Sequence, residues 1–213
     1  MDNSPITENI SDAARERELQ RSESEARDIL HELDKLNTLP EERKTRWVWE
    51  LLQNAKDVAD YGGVDITFKL TPDKLIFIHN GLPFETKHLL AILYKTSTKS
   101  LGGKEGNTGK YGTGFMTTHI LSKKVEIEGI HRNASGKREF KLEIDRSITS
   151  IDEDKALSEM KSILNECFVE IDKISKAPAK DNIVVNQHSF SYSLTPSSYV
   201  YAEKGLSELE KNI

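Results

Sequence analysis

The segment that decides the fold is Trp49–Phe68, WELLQNAKDVADYGGVDITF, together with Ile76–Phe84, IFIHNGLPF. The first begins with apolar residues at helical spacing and then breaks at Tyr61-Gly62-Gly63, where glycine accepts the left-handed conformation that ends helices. It continues as the alternating run VDITFKL, and Thr71-Pro72-Asp73-Lys74 turns the chain into KLIFIHNG. Two alternating β-rich runs joined by a Pro-Asp turn predict a hairpin. A helix expected over about Glu41–Asp60 therefore feeds directly into a two-stranded unit.

The remaining chain extends this α-then-β pattern. Ala26, Ile29, Leu30, Leu33 and Leu36 predict a helix from Ser22, stopped by Pro40. Glu85–Tyr94 and FMTTHIL (115–121) read as helical. KKVEIEGI and KREFKLEI flank Arg132–Gly136 as a second hairpin, and IVVNQHSFSYSL supplies a late strand. Residues 150–180 read as short, charged, peripheral helical stretches. Residues 1–21 are polar and are expected to form a flexible tail. YAEKGLSELEKNI reads as a helix without a stop signal, so 22–213 is expected to be the front domain of a longer protein.

Composition narrows the function. Thirty basic against 35 acidic residues give a net charge of −5, which does not indicate a nucleic-acid partner. One cysteine, Cys167, cannot form an internal disulfide and fits a reducing, cytoplasmic compartment. No apolar run approaches the ~20 residues of a membrane span.

Two features carry chemistry. Glu50, Asn54 and Asp57 fall at i, i+4 and i+7, which is one helical face. A carboxylate can orient or deprotonate a water, and an amide oxygen one turn away is a hard ligand suited to Mg²⁺. The same spacing also describes an ordinary solvated face. Six of the twelve glycines then lie between Gly102 and Gly114. Backbone amides at a helix start bind phosphate well. Neither a Walker A loop nor a dinucleotide fingerprint fits, because Tyr111 follows Gly109-Lys110 and Phe115 follows Gly112-Thr113-Gly114.

In order, these segments resemble the GHKL (Bergerat-fold) ATPase superfamily. Its members include the ninety-kilodalton heat-shock chaperone, DNA gyrase B, MutL-type repair proteins and histidine kinases. The first motif is similar to E-x-x-x-N-A-x-D, the second to D-x-G-x-G, and STKSLGGKEGNTGKYGTGF (97–115) to an ATP lid ending in G-x-x-G-x-G-F. His-Asn-Gly-x-Pro-Phe is closest to bacterial ATP-binding proteins related to the sacsin N-terminal region. The resemblance runs from about Ser22 to the C-terminus and is weak over 140–185.

The resemblance implies an α/β (α+β) two-layer sandwich with a mixed, largely antiparallel sheet, helices on one face and a Gly-rich lid. It implies Mg²⁺-dependent ATP hydrolysis, with ATP and Mg²⁺ as cofactors and an ATP-dependent homodimer or downstream domains as partners. Glu50 would activate water, Asn54 would hold Mg²⁺, and Asp57 would support both. Gly81 would let backbone approach the nucleotide. Ser97, Thr98, Lys99 and the amides around Gly109, Gly112, Gly114 and Phe115 would hold phosphates, with Phe84, Lys110, Tyr111 and Thr113 completing the cofactor-binding set. Ser189 would lie near the adenine. His79 and Asn80 replace the family's adenine-reading aspartate; either has an acceptor for the adenine amino group. Pro83 replaces the motif's second glycine.

Two other readings compete. A non-catalytic nucleotide-sensing module gains from His79 and Pro83. A histidine kinase is weakened because only 18 residues separate His31 from Glu50 and because kinases usually carry Asn at the Glu50 position.

Overall fold

The computed structural model describes residues 22–94, 114–180, 183 and 186–212. Five strands form one sheet: β1 (Ile66–Thr71), β2 (Lys74–His79), β3 (Lys124–Asn133), β4 (Gly136–Asp145) and β5 (His188–Ser193). Their order is β1-β2-β5-β3-β4, and every neighbouring pair is antiparallel. Both predicted hairpins are present. In the first, Thr71 Oγ1 donates to the Asp73 carboxylate at 2.8 Å across the turn. In the second, the Asn133 side-chain oxygen accepts from Ser135 N–H, and Gly136 takes φ +121°, a conformation suited to glycine. A parallel bridge pairs Phe84 with His131, but it is isolated, and the five-stranded sheet itself is antiparallel throughout.

Three cross-strand rows build the core. Ile66, His79 and His188 form one; Phe68, Phe77, Phe190, Ile127 and Leu142 the second; Leu70, Leu75, Tyr192, Val125 and Ile144 the third. All point to the same face because side chains alternate along a strand. The opposite face carries Ser189, Ser191, Glu126, Glu128 and Lys141, which are half-buried or exposed.

Helices cover the apolar face: α1 (residues 22–37), α2 (Trp47–Asp57), α3 (Thr86–Tyr94), α4 (Glu153–Lys176) and α5 (Pro196–Asn212), with 3-10 turns at Glu41–Arg43 and Phe115–Ile120. The result is the expected two-layer α/β sandwich. No described helix is long and apolar enough to cross a membrane.

Two expectations need correction. The helix expected from Glu41 starts at Trp47, after a 3-10 turn, and ends at Asp57 rather than Asp60. It ends there because the Val58 carbonyl accepts from Leu82 N–H at 2.8 Å, which draws the backbone out toward the second motif. The second correction concerns residues 150–180. They form no set of short peripheral pieces but include one 24-residue helix capped by Asp152, whose carboxylate accepts from Lys155 N–H. Leu157, Met160, Leu164, Cys167 and Ile171 make a buried stripe along it, and the charges that dominate its composition occupy the outer faces.

α5 is held against α2 by Trp47. The indole N–H donates to Tyr201 C=O at 3.2 Å, and Gly205 faces the ring so closely that a Cβ there would lie 2.6 Å from it. Glycine inside a helix normally costs ~1 kcal/mol relative to alanine. Overpacking against a buried indole costs ~1–3 kcal/mol. The second effect wins, so Gly205→Ala should destabilise the fold by about 1 kcal/mol, seen as a lower urea midpoint; an unchanged or raised midpoint would show that α5 does not seat on Trp47.

Candidate functional site

α2 supplies the first side chains. Its apolar residues Trp47, Val48, Leu51 and Ala55 are buried, which turns Glu50, Asn54 and Asp57 onto a half-buried seam rather than an open face. Gly114, at the end of the glycine-rich run, packs directly on Glu50. A Cβ at Gly114 would fall 2.0 Å from Glu50 Oε2, so a larger residue here would displace the Glu50 carboxylate. The guanidinium of Arg46 lies 3.8 Å from the other Glu50 oxygen. Asp57 accepts from the Gln53 amide at 2.6 Å. One small cavity, about 10 Å³, is lined by Asn54, His79, Phe84 and Phe115 together with core residues. All three sequence motifs therefore converge.

His79 sits at the end of β2, buried, beside His188 at the start of β5. The ring centroids are 5.0 Å apart. Gly81 N–H donates to His79 Nδ1 at 3.2 Å. Gly81 C=O accepts from His188 Nε2 at 3.1 Å, and His188 Nδ1 accepts from Ile130 N–H. These bonds set both tautomers: each neutral ring accepts at Nδ1 and carries its proton on Nε2. The acceptor nitrogen of His79 is thus already occupied by Gly81, and the ring's other edge is a donor. This reverses the role read for it from sequence. Burial, aided by the neighbouring His188, pushes His79 down to about 3, and burial pushes His188 down to about 4, so both rings are neutral near pH 7.

Asn80 is also engaged. Its oxygen accepts from Asp65 N–H and its amide donates to the Asp65 carboxylate, each at 2.8 Å. Gly81 makes its close approach to α2: a Cβ would lie 2.6 Å from Val58 Cγ2. Ser189 is not brought to the cluster. It pairs with Ile78 and faces the open side of the sheet, since one step along β5 changes face. His188 takes the place expected for it. Ser97, Thr98, Lys99, Gly109, Lys110, Tyr111, Gly112 and Thr113 lie outside the described residues.

A further buried group was not legible in the sequence. The Arg146 guanidinium donates to Ile92 C=O and Leu93 C=O, at 3.0 and 2.8 Å, in the last turn of α3. It also donates to Met116 Sδ and, at 2.7 Å, to His119 Nε2, while His119 Nδ1 donates to Ser122 C=O. Helix C-terminal carbonyls are unpaired and carry negative charge, which suits a cation. Arg146 so fastens α3 to the turn Phe115–Ile120. Neither His188 nor Arg146 stands in a local motif; strand pairing and helix packing bring them in.

Among the described residues no group of three or more His, Cys, Asp or Glu could hold a metal ion. Neither a scan of protein-family models nor a search of curated proteins finds a match to this chain.

The histidine pair predicts a pH signature. Below the ordinary imidazole value of 6.5 the unfolded chain binds protons that native His79 and His188 refuse. Stability is therefore full above that value and falls as pH drops toward about 4 for His188 and about 3 for His79, by up to ~1.4 kcal/mol per pH unit for each ring. Urea unfolding at about pH 7 and about pH 5.5, above the carboxylate range, should show a smaller loss for His79→Gln than for the parent. Equal losses would mean that His79 is not held neutral.

Proposed function

We propose that the chain is a GHKL-type domain that binds and hydrolyses ATP with Mg²⁺, and that nucleotide gates dimerisation or the arrangement of downstream domains. The observation that carries this reading is the contact between Gly114 and the Glu50 carboxylate. It sets the end of a glycine-rich run, of the kind whose amides hold phosphate, against a side chain able to take a proton from water. Asn54, one turn on, offers a hard oxygen suited to Mg²⁺. The metal would supply charge neutralisation at the phosphates when bound. Glu50 would hold the attacking water and accept its proton. The paired strand ends at His79 and His188 make a rigid, neutral wall, and His79 Nε2–H favours a base edge that carries an acceptor. A cytoplasmic location accompanies this reading, because a single cysteine, Cys167, provides for no internal disulfide.

The test separates binding from turnover. Glu50→Gln should keep Mg–ATP affinity, measured by titration calorimetry, and lose hydrolysis by ~10²–10⁴-fold. Asn54→Ala should weaken Mg–ATP binding itself. Hydrolysis at the parent rate in Glu50→Gln would remove Glu50 as the base. A parent chain that binds Mg–ATP with no turnover would favour the sensor reading, and one that binds no nucleotide would end both.

A further inference from the structure

A second cavity, about 820 Å³, opens between α1, the segment following β4 and the start of α4. That size is typical of small-molecule sites. Its charges are layered. The carboxylates Asp34 and Glu153 are exposed at the mouth, together with Arg27 and His31. Deeper in the wall are two cations, Lys123, half-buried, and Arg146, 1% exposed. The Lys123 ammonium makes no hydrogen bond or ion pair among the described residues, and burial alone pulls its proton affinity down. Arg146 spends its terminal nitrogens on α3, Met116 and His119, yet its Nε–H is buried without a partner among the described residues. The two residues are backbone neighbours, Arg146 N–H donating to Lys123 C=O at 2.9 Å, and both line this cavity.

Carbonyls and His119 compensate the Arg146 guanidinium, but the half-buried Lys123 ammonium has no partner among the described residues, and such a charge beside a second cation is costly unless an anion meets it. Leu30, Leu33, Ile148 and Leu157 supply apolar wall beside them. An inorganic ion would satisfy the charges and leave this apolar wall wet. A purely apolar molecule would cover the wall and leave the charges desolvated. We propose that this cavity is a ligand site, separate from the α2 centre, for a small organic anion with an apolar body, of the medium-chain carboxylate type, whose head group meets Lys123 beside the buried positive charge of Arg146.

The inference does not depend on the ATPase reading, and its test involves no nucleotide. Octanoate, 1-octanol and acetate are titrated into the full chain and binding is read by calorimetry. Octanoate should bind roughly tenfold or more tightly than either control, since charge-assisted pairing and apolar burial each contribute on that scale. Lys123→Met keeps the length of the side chain and removes a poorly solvated charge, so the variant should fold at least as stably as the parent. It should bind octanoate roughly tenfold or more weakly and 1-octanol unchanged. Ala156→Trp, which fills the cavity from α4, should abolish both. Absence of octanoate binding, equal affinity for octanoate and 1-octanol, or full octanoate affinity in Lys123→Met would each overturn the proposal.

Discussion

The sheet depends on β5. Two hairpins, β1–β2 and β3–β4, are each local in sequence, and each alone has an edge with unpaired backbone groups. β5 enters between them, pairing with β2 along Lys74–His79 and with β3 along Val125–Glu128. At one end of that join, His188 bonds to Ile130 N–H on β3 and to Gly81 C=O just beyond β2. A single imidazole so satisfies buried backbone groups from both hairpins, each of which would cost ~1–3 kcal/mol if left unpaired. The candidate site stands at this corner because here β2 ends, β5 begins and α2 releases its chain.

Close backbone approach is the second constraint. Gly81 passes under Val58 at the exit of α2, and Gly114 passes over Glu50 near its start. A methyl group at Gly81 would press on the Val58 backbone and force the segments apart, and one at Gly114 would displace the Glu50 carboxylate. Gly81 therefore lets the segment after β2 lie against the exit of α2, and Gly114 leaves room for the Glu50 carboxylate. Arg146 performs the complementary task from below, holding the end of α3 and the Phe115–Ile120 turn with one guanidinium. It has no carboxylate counter-charge among the described residues, and burial pulls it down to about 10. Such a group persists because helix-end carbonyls and a neutral imidazole replace the water it has lost.

Buried polar groups thus divide by how well they are served. His79 and His188 share a closed set of backbone bonds and stay neutral. Lys123 and the Arg146 Nε–H have no such set among the described residues, and both residues line a cavity with apolar walls. In one place the polar network completes the fold; in the other the half-buried Lys123 is left to face the cavity.

The sequence by itself determined the elements and their order: the helical face of Glu50, Asn54 and Asp57, both hairpins, the late strand and the terminal helix. Local spacing and turn chemistry suffice for these, because periods of 3.6 and 2 are properties of short segments. It misread residues 150–180, where charge on the outer faces hid a regular apolar stripe, and it began α2 too early because a 3-10 turn has no distinct pattern. Tertiary structure alone decided the face of β5. A register shift of one residue exchanges Ser189 for His188, and strand pairing across more than a hundred residues sets that register. It also decided the tautomer of His79, since the proton sits where Gly81 N–H leaves it room. Residue type gives a side chain its donors and acceptors; only the fold shows which of them the protein itself has already used.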